Sequence, residues 1–249
     1  MSEALRQRFP SNVASIHEDS SEKIVIKQSL TISWSELPEW RKDNEYIVEG
    51  HRRTQYSWRG CLASVYGFNI HSHLLGAVLF AWLLGSFRQV YFVHYEHTTW
   101  KDSTVFAIFL GAAILCLSGS AFYHTTCVHS ESVSKRCNTI DYAGIVVLIV
   151  GSFFPCVYYG FYCDPHWQTL YLLAITIAGA GAAYIVLNPE YSQPTHRHAR
   201  TTVFAALGLC GVLPVLHGIF AQGFTKMIFE MGYAWLLLSG ALYFVGALL

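Results

Sequence analysis

Ser120 and His124 stand four positions apart in a stretch without Asp, Glu, Lys or Arg, so on a helix they share one face about one turn apart. Asp141 stands at the edge of the next such stretch. An ionisable side chain at membrane depth is costly and calls for a partner. The link over 125–139 is short enough to make the two stretches antiparallel neighbours, which brings the His124 end of one beside the Asp141 end of the other. A neutral imidazole beside a carboxylate is a common arrangement of metal ligands and of the groups that orient them. Each residue also has a plainer reading. His124 at a span end can be an interfacial, hydrogen-bonded ring, Asp141 can cap a helix N-terminus, and Ser120 can bond back to its own helix.

The other histidines offer less chemistry. His71 and His73 open the first apolar stretch, His94 and His97 fall in one loop, and His196 and His198 in another. None has ligand spacing together with a partner, so exposed or interfacial rings are expected. His217, one turn beyond Pro214, reads as a satisfied polar residue of the bundle. Among the seven cysteines, Cys116, Cys156 and Cys210 lie in apolar runs, where thiols pack as small hydrophobes. No disulfide framework is read from them, and Cys163, near a loop, is open to oxidation if it faces outward.

The elements that must position the polar residues are transmembrane helices. Of the 249 residues, 53% are hydrophobic and 13% charged, with a mean hydropathy of +0.35. Uncharged runs cover 60–87, 103–130, 142–163, 165–189, 201–225 and 231–249. Each is long enough for the roughly 20 helical residues that cross a hydrocarbon core. Six in succession leave no polar face for water, which excludes a soluble domain. A formal net charge of zero and the lack of a basic stripe set nucleic acid aside. The expected fold is an all-α polytopic membrane helix bundle with spans near 69–87, 104–123, 140–159, 168–187, 202–219 and 231–249. Gly179, Gly181 and Ala183 allow close helix approach on the fourth span, and Pro155 and Pro214 can kink the third and fifth.

Residues 1–55 are polar and contain no basic segment followed by an apolar one, so no cleavable signal is expected. They are assigned to a cytoplasmic tail, and 56–249 to the bundle. Within the tail, Trp34, Leu37, Trp40 and Tyr46 recur at helix-like intervals among charges, which suits a short interfacial amphipathic helix over 33–46 or a solvated tail carrying a few aromatics. With the N-terminus inside, Arg52, Arg53, Arg59, Lys135, Arg136, Arg197 and Arg200 are cytoplasmic and only Arg88, Lys101 and Lys226 are outside, the asymmetry expected of that orientation. The last apolar run stops at Leu249 without a polar tail, which reads as a truncation.

Several ordered motifs carry a family resemblance: SAFYH over 120–124, HSE over 129–131, IDYAGI over 140–145, GSFFP over 151–155 and YYGFYC over 158–163. Upstream stand DNEYI over 43–47, GHR over 50–52 and NIHSHLLG over 69–76. From about Ser33 onward the chain resembles the adiponectin-receptor branch of the progestin and adipoQ receptor family, which includes haemolysin-III-like proteins. The resemblance implies a seven-helix bundle with a cytoplasmic N-terminus and a Zn²⁺ ion near the cytoplasmic face. His124 would then be a zinc ligand, Asp141 would hold a zinc-bound water, and Ser120 would be the adjacent hydroxyl. The sequence departs from the family pattern after ASVYG over 63–67, where a short polar stretch is missing. It also has six spans, without the seventh that bears the family's His-x-x-x-His. One His and a water-held Asp are too few for a closed tetrahedral site.

The resemblance implies a receptor-like membrane protein of lipid metabolism and zinc homeostasis, in the plasma membrane or endoplasmic reticulum, with a membrane lipid or sphingolipid as partner. The alternatives are a zinc-dependent, ceramidase-like amide hydrolase using Ser120 and Asp141, and an inert truncated fragment.

Overall fold

A computed structural model of the protein describes residues 31–248, except 91, 96, 189, 192 and 193, and except the side chains of residues 94, 194, 247 and 248. Residues 1–30 of the expected tail, with any part in localisation, lie outside the described residues. The fold is all-α. Its helices are α1 (Trp58–Ala63), α2 (Phe68–Val90), α3 (Trp100–Thr126), α4 (Glu131–Gly160), α5 (Pro165–Leu187), α6 (Arg197–Leu209), α7 (Val212–Gln222) and α8 (Tyr233–Leu248). One small antiparallel pair, β1 (Thr31–Ile32) with β2 (His51–Arg52), precedes them.

Five apolar helices are long enough to cross a bilayer, α6 and α7 together counting as one, and α8 is shorter. The six apolar helices expected are thus present, and the last begins at 233 instead of 231 because Gly232, at φ +75°, breaks the run there. The large apolar side chains remain on the outside, including Leu75, Trp82, Leu115, Tyr184, Phe220 and Trp235. That is the pattern of a bundle whose solvent is lipid.

α3 is the central helix, packed along both α2 and α4. Of its most apolar stretch 39% is buried, against 11% for α2 at the edge. α4 begins nine residues earlier than the expected 140, so only 127–130 separate it from α3. Extended Ser130 opens the helix, Glu131 sits in its first turn where the dipole favours an acid, and Glu131 pairs with Lys135 at 2.8 Å. On the far side of α4, Val146 packs with Ile175, Ala182 and Val186 of α5 and with Phe204 and Leu207 of α6. Gly179 makes that packing possible, since a Cβ there would run into the Val150 side chain.

The fifth span is two helices rather than one kinked helix. The break falls at Cys210 and Gly211, and Pro214 lies in the first turn of α7, where its missing N–H removes no helical bond. Pro155, by contrast, sits inside an α4 that runs on through it.

The tail also departs from expectation. Residues 33–46 form two single 3-10 turns, 34–36 and 39–41, not an amphipathic α-helix. Leu37 precedes Pro38 and is held extended at ψ 139°, which stops the first turn before a helix can propagate. The segment from Thr31 belongs to the same compact unit as the bundle.

Candidate polar centre of the helix bundle

The centre is built where α3 ends, α4 begins and α2 starts. α3 and α4 approach almost backbone to backbone. A Cβ on Gly144 would stand 3.0 Å from the Cys116 Cα, and one on Gly151 would stand 2.6 Å from the Ala112 Cβ. One turn from Gly144, this closeness brings Asp141 against Ser120. Ser120 is 6% exposed, and its hydroxyl stands close enough to act on the Asp141 carboxylate. The His124 ring lies close enough to act on the charge of Asp141. Ser120, His124 and Asp141 are thus brought together as the spacing implies.

α2 adds a residue that the sequence reading set aside. The His73 ring lies 5.7 Å, centroid to centroid, from that of His124 and also acts on Asp141. Its Nδ1 is 2.5 Å from the Asn69 carbonyl oxygen one turn back. A carbonyl only accepts, so Nδ1 carries a proton in this contact. The signal was available, because α2 runs opposite to α3 and therefore starts at the depth where α3 ends. His71 is exposed on α2, His196 lies edge-on to Tyr191 with ring centroids 5.2 Å apart, and His97 is exposed in its loop. The side chain of His94 lies outside the described residues.

Beneath the centre, Arg52 ties the N-terminal segment to the end of α3. Its guanidinium donates to the carbonyls of His124 at 2.7 Å, Thr125 at 3.2 Å and Cys61 at 3.0 Å, and to the Ser64 hydroxyl at 2.6 Å. The last carbonyls of a helix have no partner within it, so Arg52 caps α3 from outside. Gln55 and Tyr56 continue the attachment by donating their backbone N–H groups to the carbonyls of Val128 and His129. Arg41 donates to the Arg52 carbonyl at 2.6 Å, and burial holds its guanidinium below the ordinary arginine range. No periodicity marks Arg52, which acts only through tertiary contacts.

Among the described residues, no group of three or more His, Cys, Asp or Glu side chains is close enough together to hold a metal ion. His124 and Asp141 alone do not fit a closed four-ligand zinc site. All seven cysteines are free. His217 is satisfied away from the centre, with its Nδ1 3.0 Å from the Tyr171 hydroxyl and its ring 4.5 Å from that of Trp167.

The sequence pattern of haemolysin-III-related proteins matches residues 67–249, nearly the whole of the bundle. The chain belongs to the haemolysin-III-related family. Among its relatives are the progestin and adipoQ receptor-like protein 1 of Caenorhabditis elegans, 34% identical across 93% of this chain, and the adiponectin receptor protein of Drosophila melanogaster, 34% identical across 96%. Heptahelical transmembrane protein 1 of Arabidopsis thaliana is 32% identical across 89% of this chain and 70% of its own length. This haemolysin-III-related chain spans about half the length of the two animal relatives, 55% and 54%. It is an adiponectin-receptor-like, multi-pass integral membrane protein.

Proposed function

We propose that this chain is a receptor-like membrane protein of lipid metabolism and zinc homeostasis, oriented with its N-terminus in the cytoplasm. The observation that carries the reading is the convergence of His124, Ser120 and Asp141 on facing turns of α3 and α4. In this reading His124 would be one ligand of a zinc ion, which would supply a Lewis acid there, Asp141 would orient a water beside it, and Ser120 would steady the carboxylate. The donors on the described residues do not complete a zinc site, so the reading requires further ligands from beyond them. A membrane lipid or sphingolipid is the partner that suits a bundle with lipid-facing walls and one polar centre. The cationic bias of the segments around Arg52, Arg53, Arg59, Lys135 and Arg136 supports the orientation.

A second reading, a ceramidase-like intramembrane amide hydrolase, is favoured by the Ser120–Asp141 contact, which sets a hydroxyl and a carboxylate side by side next to an imidazole.

Zinc content and lipid turnover of the purified protein in detergent test both readings. In protein that carries those further ligands, the expected result is close to one zinc ion per chain, lost in His124→Ala. Protein free of zinc at saturating metal would overturn the zinc assignment. Release of fatty acid from a ceramide, abolished by Asp141→Ala, would select the hydrolase, whereas zinc without turnover supports the receptor-like role.

A further inference from the structure

A second candidate binding site lies outside the polar centre, on the lipid-facing side of α1, α2 and α3. There an open groove of about 400 Å³ is walled by Trp58 and Leu62 of α1, Ile70 and Leu74 of α2, and Ala121 and Phe122 of α3. Of the hydroxyls in its wall, those of Thr125 and Thr126 are taken up by their own helix, donating to the Ala121 and Phe122 carbonyls at 2.8 Å, while Ser118 at the deep end is exposed. The wall therefore presents mostly hydrocarbon, and its volume falls in the range of small-ligand sites.

The groove has a direction. It extends from Thr126 at the end of α3 to Ser118, about 12 Å of helix rise, toward the middle of the bilayer. Its mouth is at Trp58, whose ring lies 4.6 Å from that of His129 in the loop joining α3 to α4. A half-exposed Trp at a bundle end is an interfacial anchor. Beside it on α1, Arg59 is exposed and, among the described residues, makes no hydrogen bond or ion pair. Arg59 does not itself line the groove, but it follows Trp58 and stands one turn before Leu62 on α1, which places an exposed cation next to the mouth.

We infer that this groove binds a single anionic phospholipid, with an acyl chain between α1, α2 and α3 and the phosphate on Arg59. A zwitterionic lipid would fill the slot equally well, but its headgroup cation would oppose Arg59. The charge at the mouth therefore makes the site selective rather than merely lipid-covered. The site is independent of the polar centre and of any metal there.

The full chain in bilayers containing phospholipids brominated on one acyl chain provides the test. Quenching of Trp58 is read as the difference between the wild-type protein and Trp58→Phe. Brominated phosphatidylglycerol is expected to occupy the groove about fivefold more strongly than phosphatidylcholine of the same acyl composition. Arg59→Gln, at an exposed position, is expected to equalise the two lipids without changing the quenching by phosphatidylcholine. Equal quenching by both lipids in the wild-type protein, or a preference that survives Arg59→Gln, would overturn the assignment.

Discussion

The Arg52 guanidinium donates to the backbone carbonyl of His124 at 2.7 Å, so a residue of the polar N-terminal segment holds the very turn that carries the candidate ligand. The same group reaches Cys61 and Ser64, and so joins α1 to α3. The end of α3 is thereby fixed by a fork of charge-assisted bonds instead of a capping glycine.

Arg52→Gln removes the fork and leaves those carbonyls without a donor. The expected loss is about 2–3 kcal/mol, the range for hydrogen bonds to a charged group, measured as a lowered unfolding midpoint in detergent. Arg52→Lys should restore only part of it, because an ammonium cannot span both helices at once. A variant as stable as the wild type would show that the tail merely rests on the bundle.

Glycines on α3 and α4 should respond according to what a Cβ would meet. Gly151→Ala drives a methyl against Ala112, and Gly144→Ala presses on the Cys116 backbone. Each is expected to cost about 1–3 kcal/mol by overpacking. Gly111, on α3, has nothing within 4 Å, and Gly111→Ala should be neutral or stabilising by about 0.5–1 kcal/mol through helix propensity. Thermal unfolding of the three variants side by side checks the order.

At the opposite end of the bundle, Asp102 is 5% exposed and accepts from Tyr159 at 2.8 Å and from the Thr99 hydroxyl and N–H at 2.7 and 2.8 Å. Tyr159→Phe deletes one bond of three and should cost about 1 kcal/mol, whereas Asp102→Ala also removes the cap of α3 and should cost about 2–3 kcal/mol. Equal effects would mean that Tyr159, not the cap, dominates.

Thiol chemistry provides a check that needs no mutation. Burial pushes the Cys61 and Cys127 thiols up, while Cys163 is exposed after α4. The thiolate is the reactive form, so a raised pKa leaves less of it at pH 8. Maleimide at pH 8 should modify Cys163 in the native protein at least about tenfold faster than Cys61 or Cys127, with the gap narrowing as pH rises. Peptide mapping by mass spectrometry measures the order.

The same cysteine reports orientation. With the N-terminus inside, Cys163 faces outward, and a membrane-impermeant maleimide should label it on intact cells. Labelling that appears only after permeabilisation reverses the assignment.

The sequence by itself determined the solvent and the principal pair. Charge-free runs demand helices that satisfy their own backbone in lipid, and a four-residue spacing puts Ser120 and His124 on one face whatever surrounds them. Asp141 followed from antiparallel connection across a short link. Only the tertiary structure decided which other groups reach the centre. His73 is separated from His124 by 51 residues and meets it because α2 lies along α3, and Arg52 meets the same turn because the tail folds beneath the bundle. The divided fifth span and the failure of 33–46 to form a helix also depended on local competition, at Gly211 with Pro214 and at Pro38, that hydropathy does not weigh. Periodicity records which face of a helix is apolar, whereas contacts between distant segments depend on how those faces are packed.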